Sequence, residues 1–199
     1  ITYNFEEDII ASAKTICKRY KGNQAHAEYL EQMAGKFFDL LQKYHGLGER
    51  ERLLLRLAAI LHDCGKFISM SAPGECAYQI IMSTEILGIS HMEREMVASI
   101  VRYNTMELPN FNEFDGKLGN DEYLIVMKLA AILRVCNALD RSHRQKFADM
   151  KLTIKDSNIV ITTAYPDNIT LEKKTLQDKQ DFFEEVYGLG FEIKQKKKK

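Results

Sequence analysis

The apolar run Leu53-Leu54-Leu55-Arg56-Leu57-Ala58-Ala59-Ile60-Leu61 ends in His62-Asp63-Cys64-Gly65-Lys66, and this junction constrains the fold more than any other stretch of the chain. A segment this apolar must be buried over most of its surface, so it carries a histidine and an acid into the interior at its end. Taking both out of water is costly unless something binds them, and a metal ion is the usual solution. A second histidine, His26 in Gln24-Ala25-His26-Ala27-Glu28, falls on what reads as another helix. The expectation is a bundle in which His26, the His62-Asp63 pair and one later acid converge between helices.

The chain has room for such a bundle. Its 199 residues, 45% hydrophobic with three prolines, suffice for one helical domain and a smaller appendage. Lys+Arg and Asp+Glu are each 28, so no global field draws nucleic acid or membrane, and any polyanion has to be held by a local basic patch. No specific nucleic-acid partner is expected. Cys17, Cys64, Cys76 and Cys136 lack CxxC spacing and sit in apolar segments, which predicts free thiols and a cytoplasmic location. No segment reaches the roughly 18 uninterrupted apolar residues of a membrane span. The chain begins at Ile1 and not at methionine, which reads as a processed product or part of a longer protein.

Periodicity predicts helices over residues 5–20, 24–44, 49–61, 75–87 and 90–103, the last opened by Ser90 with Glu93 in capping-box spacing. Residues 104–119 form the longest irregular segment. A last long helix, capped by Asn120 or Asp121, is expected to run through Arg144. After Asp149 the period falls from about 3.6 to 2. Residues 151–155 and 159–162 read as a hairpin around Asp156-Ser157-Asn158, followed by a helix over 175–187 and a strand over 190–194. The fold class is mostly α: a helical bundle over residues 1–148, then a small α/β (β-β-α-β) domain over 149–199 whose Lys196 to Lys199 run is a solvated tail. His45 and His91 read as surface residues and Glu93-Arg94-Glu95 as a solvated face. Met92, Met96 and Phe37-Phe38 read as core or dimer interface.

Leu61-His62-Asp63-Cys64-Gly65-Lys66 after an apolar helix, with a histidine upstream, resembles the HD superfamily of metal-dependent phosphohydrolases. Ala25-His26-Ala27-Glu28, Leu61 to Ile68, Ala77-Tyr78-Gln79-Ile80-Ile81, Glu93 to Ala98, Val101-Arg102-Tyr103 and Ala138-Leu139-Asp140-Arg141-Ser142-His143-Arg144 narrow the match. These blocks follow the order seen in the C-terminal half of exopolyphosphatase / guanosine pentaphosphate phosphatases, the Ppx/GppA family. Phe182-Phe183-Glu184-Glu185-Val186-Tyr187-Gly188 resembles the small terminal domain of the same proteins. The bundle is accordingly expected to be HD-domain-like.

In that family two actin-like N-terminal domains carry the phosphate-cleaving chemistry, and the 11 glycines here make no phosphate cradle of that kind. The resemblance implies a metal set of a helix histidine, the HD pair and a distant aspartate. His26, His62 and Asp63 take the first three places, and Asn137 stands where the aspartate belongs. Asparagine carries no charge, so divalent metal should be bound weakly. Histidines common in the family at residues 72–75 are absent, and only Glu75 remains there as a hard ligand. No cofactor is expected to be required, and Mg2+ or Mn2+ is expected only if the site is competent.

Asp140-Arg141-Ser142-His143-Arg144 is the second constellation. Arg141, His143 and Arg144 near a helix end suit phosphate oxygens, and they equally suit the negative end of the helix itself. Lys66 and Arg102 are weaker candidates for the same surface. The expected function is the regulatory, polyphosphate-binding and dimerisation portion of an exopolyphosphatase-like enzyme. Its partners would be polyphosphate or a phosphorylated guanosine nucleotide and a second copy of the chain, with no catalytic residue of its own. The alternative is an autonomous HD-type phosphohydrolase acting on nucleotides or phosphate esters, and a third is a dimerisation domain without a ligand.

Overall fold

Helical periods dominate the first three quarters of the chain, and the computed structural model, which describes residues 5–114 and 118–196, turns them into a bundle. Its helices are α1 (Phe5–Arg19), α2 (Gln24–Leu40), α3 (Gln42–His45), α4 (Glu49–Leu61), α5 (Pro73–Ser83), α6 (His91–Thr105) and α7 (Asn120–Leu139). A small unit follows, made of β1 (Lys151–Lys155), β2 (Asn158–Thr163), α8 (Thr170–Gln177), α9 (Gln180–Tyr187) and β3 (Gly190–Gln195). The chain is mostly α, with a three-stranded sheet near its C-terminal end.

α2 packs between α4 and α7, α6 packs on α5 and α7, and α1 lies on α4. Phe37, Phe38, Leu54, Leu55, Leu57, Ile60 and Leu61 are fully enclosed, as the run before His62 requires. The same apolar cluster continues through Phe147, Ile159, Ile161 and Phe183, so one core spans bundle and sheet. β2 is the central strand, antiparallel to β1 and parallel to β3. The α8–α9 segment is the crossover that a parallel pair demands. The Tyr187 hydroxyl donates to the Lys128 carbonyl of α7 at 2.9 Å. The Arg134 guanidinium lies 4.3 Å above the Phe182 ring.

Several boundaries move from their expected places, each for a local reason. α5 begins at Pro73, whose missing N–H costs nothing in a first helical turn. The helix expected over 24–44 closes at Leu40, and the single turn α3 ends in Gly46 at φ 65°, a left-handed cap. The helix expected over 175–187 is two helices, because Asp178 closes α8 with its N–H directed at the Leu176 and Lys174 carbonyls. α7 stops at Leu139 and not at Arg144. Asp140 caps it, and His143 and Gln145 turn the chain at φ 54° and 51°.

His45 is buried and not on the surface. Its Nε2 faces the Phe38 carbonyl at 2.9 Å, and its Nδ1 accepts the Leu47 N–H at 2.9 Å. Glu95 is likewise buried, accepting a hydrogen bond from the Tyr78 hydroxyl, so the Glu93 to Glu95 stretch is not a solvated face. Ser90 and Glu93 do form the reciprocal cap. All four cysteines are free thiols, Cys17, Cys64 and Cys136 being buried. No helix among the described residues is long and apolar enough to cross a membrane. Of the lysine run at the end, residues 197–199 lie outside the described residues.

Candidate functional site

The packing of α2 between α4 and α7 brings three helix ends together: the start of α2, the end of α4 and the end of α7. His26 sits in the first turn of α2, where the Asn23 side chain caps its N–H at 3.1 Å. Its imidazole is buried, and Nδ1 lies 2.6 Å from Oδ2 of Asp140, the buried cap of α7. A carboxylate can only accept, so Nδ1 carries a proton and Nε2 is the nitrogen that faces the cluster. That Nε2 is enclosed and has no hydrogen-bond partner among the described residues. The other Asp140 oxygen accepts the Gln145 N–H at 2.7 Å, which folds the turn after α7 back toward α2.

His62, the residue that caps the C-terminal end of α4, repeats the arrangement. Nδ1 donates to the Ala59 carbonyl at 2.7 Å, and Nε2, which has no hydrogen-bond partner among the described residues, lies 3.2 Å from Asp63 Oδ1. Burial pushes the His62 imidazole down to about 4, against the pull of the Asp63 charge. Burial alone would raise the Asp63 carboxyl, but His62 and the Lys66 ammonium, 2.6 Å from Oδ1, hold it below its ordinary value. The His26 and His62 ring centroids are 5.0 Å apart. His143 stacks on His26 at 3.8 Å with planes 16° apart, and its Nδ1 is 3.4 Å from Asn23 Nδ2. Burial and the neighbouring His26 lower the His143 imidazole.

Gly65 makes this junction possible. A Cβ there would lie 1.9 Å from the Pro73 carbonyl oxygen and 2.5 Å from the Ala77 nitrogen, so α5 can approach the end of α4 only where a side chain is missing.

Residues 10–181 match the model of the family described as Ppx/GppA phosphatase, domain III. This chain belongs to the Ppx/GppA phosphatase family. The match spans the bundle from within α1 and most of the small unit, and it includes every residue of the buried cluster. No curated protein matches the chain.

Of the residues singled out in sequence, the Ppx/GppA domain brings His26, His62, Asp63, Lys66 and His143 together. Ligand atoms of His26, Asp63 and His143 all lie within 4.8 Å of one another. Asn137 is half-buried on α7, and its side chain forms no hydrogen bond among the described residues. Glu75 and Arg102 are paired with each other at 2.8 Å, the guanidinium lying over Tyr78 and Tyr103, and none of these contacts reaches the cluster. Arg141 and Arg144 are exposed and form no ion pair among the described residues. Asp140, which orients His26, was legible only as part of a basic segment, three residues past the position assigned to the metal acid. Asn23, which caps the His26 N–H and touches His143, carried no functional motif.

Proposed function

We propose that this chain is a regulatory, polyphosphate-binding and dimerisation portion of an exopolyphosphatase-like phosphatase, and that the cleavage step is carried by a unit outside these residues. The observation that carries this reading is the exposure of Arg141 and Arg144 on the turn beside the cluster, neither of them committed to an acid among the described residues. A guanidinium without an ion pair can bind phosphate oxygens bidentately without breaking a pair inside the protein. His143 on the same turn, its imidazole lowered, adds a hydrogen-bonding nitrogen but no charge to this positive edge, and Lys66 across the cluster is already paired with Asp63. Arg102 does not join it, since its charge is spent on Glu75. Polyphosphate and a phosphorylated guanosine nucleotide offer the same phosphate oxygens to this turn. Homodimerisation and a cytoplasmic setting belong to the same reading on the strength of the family. No metal is required for it.

A second reading, an autonomous phosphohydrolase using Mg2+ or Mn2+, is favoured by the convergence of His26, Asp63 and His143. It is weakened by the uncharged Asn137, and because phosphoryl transfer needs the developing charge on the oxygens to be neutralised while water attacks in line. Incubating the chain with long-chain polyphosphate distinguishes the two. Retention of labelled polyphosphate without phosphate release supports the first. Release that chelation abolishes supports the second, and neither retention nor release sinks both.

A further inference from the structure

We propose that the cleft between α7 and the α8–α9 junction is a docking site for a lysine- or arginine-bearing peptide segment of a partner protein, held extended with one of its peptide groups against Asn104. The cleft has a volume of about 840 Å3 and shares no residue with the histidine cluster or with the 140–145 turn. One wall is the face of α7 that carries Tyr123, Met127 and Arg134 at helical spacing. A second is the start of α9 with Asp181, Phe182 and Glu185, and the segment leaving α6 after Thr105 supplies the rest. Asn104, in the last turn of α6, lines this cleft while only 4% exposed. Neither its amide nitrogen nor its amide oxygen has a hydrogen-bond partner among the described residues. A donor and an acceptor both left bare in the interior are costly, and such a pair calls for an occupant that supplies both partners. Arg134 cannot be that partner's rival for an anion, since its guanidinium donates to the Tyr103 and Met106 carbonyls and lies over the Phe182 ring.

Charge selects the occupant. Glu107, Glu113, Asp178, Asp181 and Glu185 line the cleft, all exposed and none in an ion pair among the described residues, against the cations Arg134 and Lys179. Such a field repels polyphosphate and nucleic acid and attracts ammonium and guanidinium groups. A small polyamine would answer the carboxylates and the Asn104 oxygen, but its protonated nitrogens have no acceptor for the Asn104 amide N–H. A peptide group supplies an N–H and a C=O together. Spacing agrees with an extended chain. Asp181 and Glu185 stand one helical turn apart, about 6 Å between Cβ atoms, and alternate residues of an extended peptide point to one side about 6.6 Å apart. Phe182 and Met127 offer apolar surface to the stems of long basic side chains. Both polar atoms of Asn104 are enclosed in the free chain, so docking must move a neighbouring side chain. Met106, unbranched, 40% exposed and in the same lining, is the adaptable one there.

The test is a fluorescence-anisotropy titration of a labelled, capped peptide, lysine at alternate positions with alanine between, by the 199-residue chain. A peptide with glutamate in place of lysine and free spermidine are the controls. One lysine peptide should bind per chain, more weakly as salt rises, and the glutamate peptide should not bind. Asp181→Asn/Glu185→Gln should weaken binding at least about tenfold with thermal melting unchanged, since both side chains are exposed. Asn104→Leu should weaken it to a similar degree without lowering the melting temperature, because an apolar side chain of similar shape replaces groups that pair with nothing in the free chain. The proposal is overturned if the lysine peptide does not bind, or if either variant binds it as the native chain does. An Asn104→Leu chain that melts well below the native one would also overturn it, by showing that the amide serves the fold. Displacement of the peptide by spermidine at equal charge concentration would do so as well, since the cleft would then recognise amines and not a peptide.

Discussion

The imidazole of His26 and the carboxylate of Asp140 meet at 2.6 Å across 114 residues of chain, and both are almost wholly buried. The contact locks the start of α2 to the end of α7. It also decides which nitrogen of His26 faces the cluster. Since the other Asp140 oxygen holds the Gln145 N–H, one side chain sets both a histidine tautomer and the path of the chain into the small unit.

Asp140→Ala should therefore cost about 3 kcal/mol of folding stability, because it leaves the Nδ1–H of His26 and the Gln145 N–H without their acceptor. His26→Ala/Asp140→Ala should cost less than the sum of the single changes by more than about 1 kcal/mol, as expected for groups in direct contact. Urea unfolding of the four proteins measures both quantities. Additive losses would mean that the pair contributes nothing beyond its separate packing.

Gly65→Ala should destabilise by roughly 3 kcal/mol, at the upper end of overpacking, since the added methyl meets backbone and not a flexible side chain. Gly46→Ala is the comparison. Nothing lies within 4 Å of a Cβ there, so its cost comes only from the φ of 65° and should be about 1 kcal/mol. Equal losses would remove the close-approach argument for Gly65.

The bundle was legible because its helices are long and strongly periodic, and the Ser90 and Glu93 cap because it is a local exchange of hydrogen bonds. The change of period after residue 149 gave the sheet in the same way. The site was legible as one cluster only where chemistry and sequence coincide, at His26, His62 and Asp63, while Lys66 and His143 were legible as phosphate candidates and not as its neighbours. His143 and Asp140 belong to it through a turn with two positive φ values on residues other than glycine. Nothing in Asp140-Arg141-Ser142-His143 announces that turn, and helical periodicity carried through it. Burial of His45 and Glu95 was hidden for a related reason, since each is satisfied by a partner on another turn or helix.

Acid should weaken the fold through His62. In the native chain burial holds its imidazole down to about 4, whereas the unfolded value is 6.5. Between these values the unfolded chain binds the extra proton, so stability falls as pH drops from 6.5 toward 4. The full loss is roughly 3 kcal/mol. His143, also lowered, adds to the fall in the same direction. Asp63, held below its ordinary value, adds a further loss only at still lower pH, as its carboxyl is protonated. Denaturant unfolding in a chelator at about pH 7 and about pH 4.5 checks the slope, and His62→Asn should remove most of it. An unchanged slope in that variant would place the titrating group elsewhere.

Binding of polyphosphate by a chain with no net charge should depend steeply on salt. Each phosphate contact made by an arginine releases counterions condensed on the polyanion, as it does on nucleic-acid backbones. Replacing Arg141 and Arg144 with alanine should then flatten the slope of log affinity against log salt by about 1.4, at roughly 0.7 per contact for a single strand. The fold should not change, because both side chains are exposed and lie in the turn beyond α7. The lysine run at residues 196–199 offers four more cations and is the competing source of affinity. The same titration on a chain ending at Gln195 separates the two, because electrostatic contributions from two distinct patches subtract independently. If shortening the chain abolishes binding and the double arginine change leaves the slope as it was, the turn after α7 holds no phosphate.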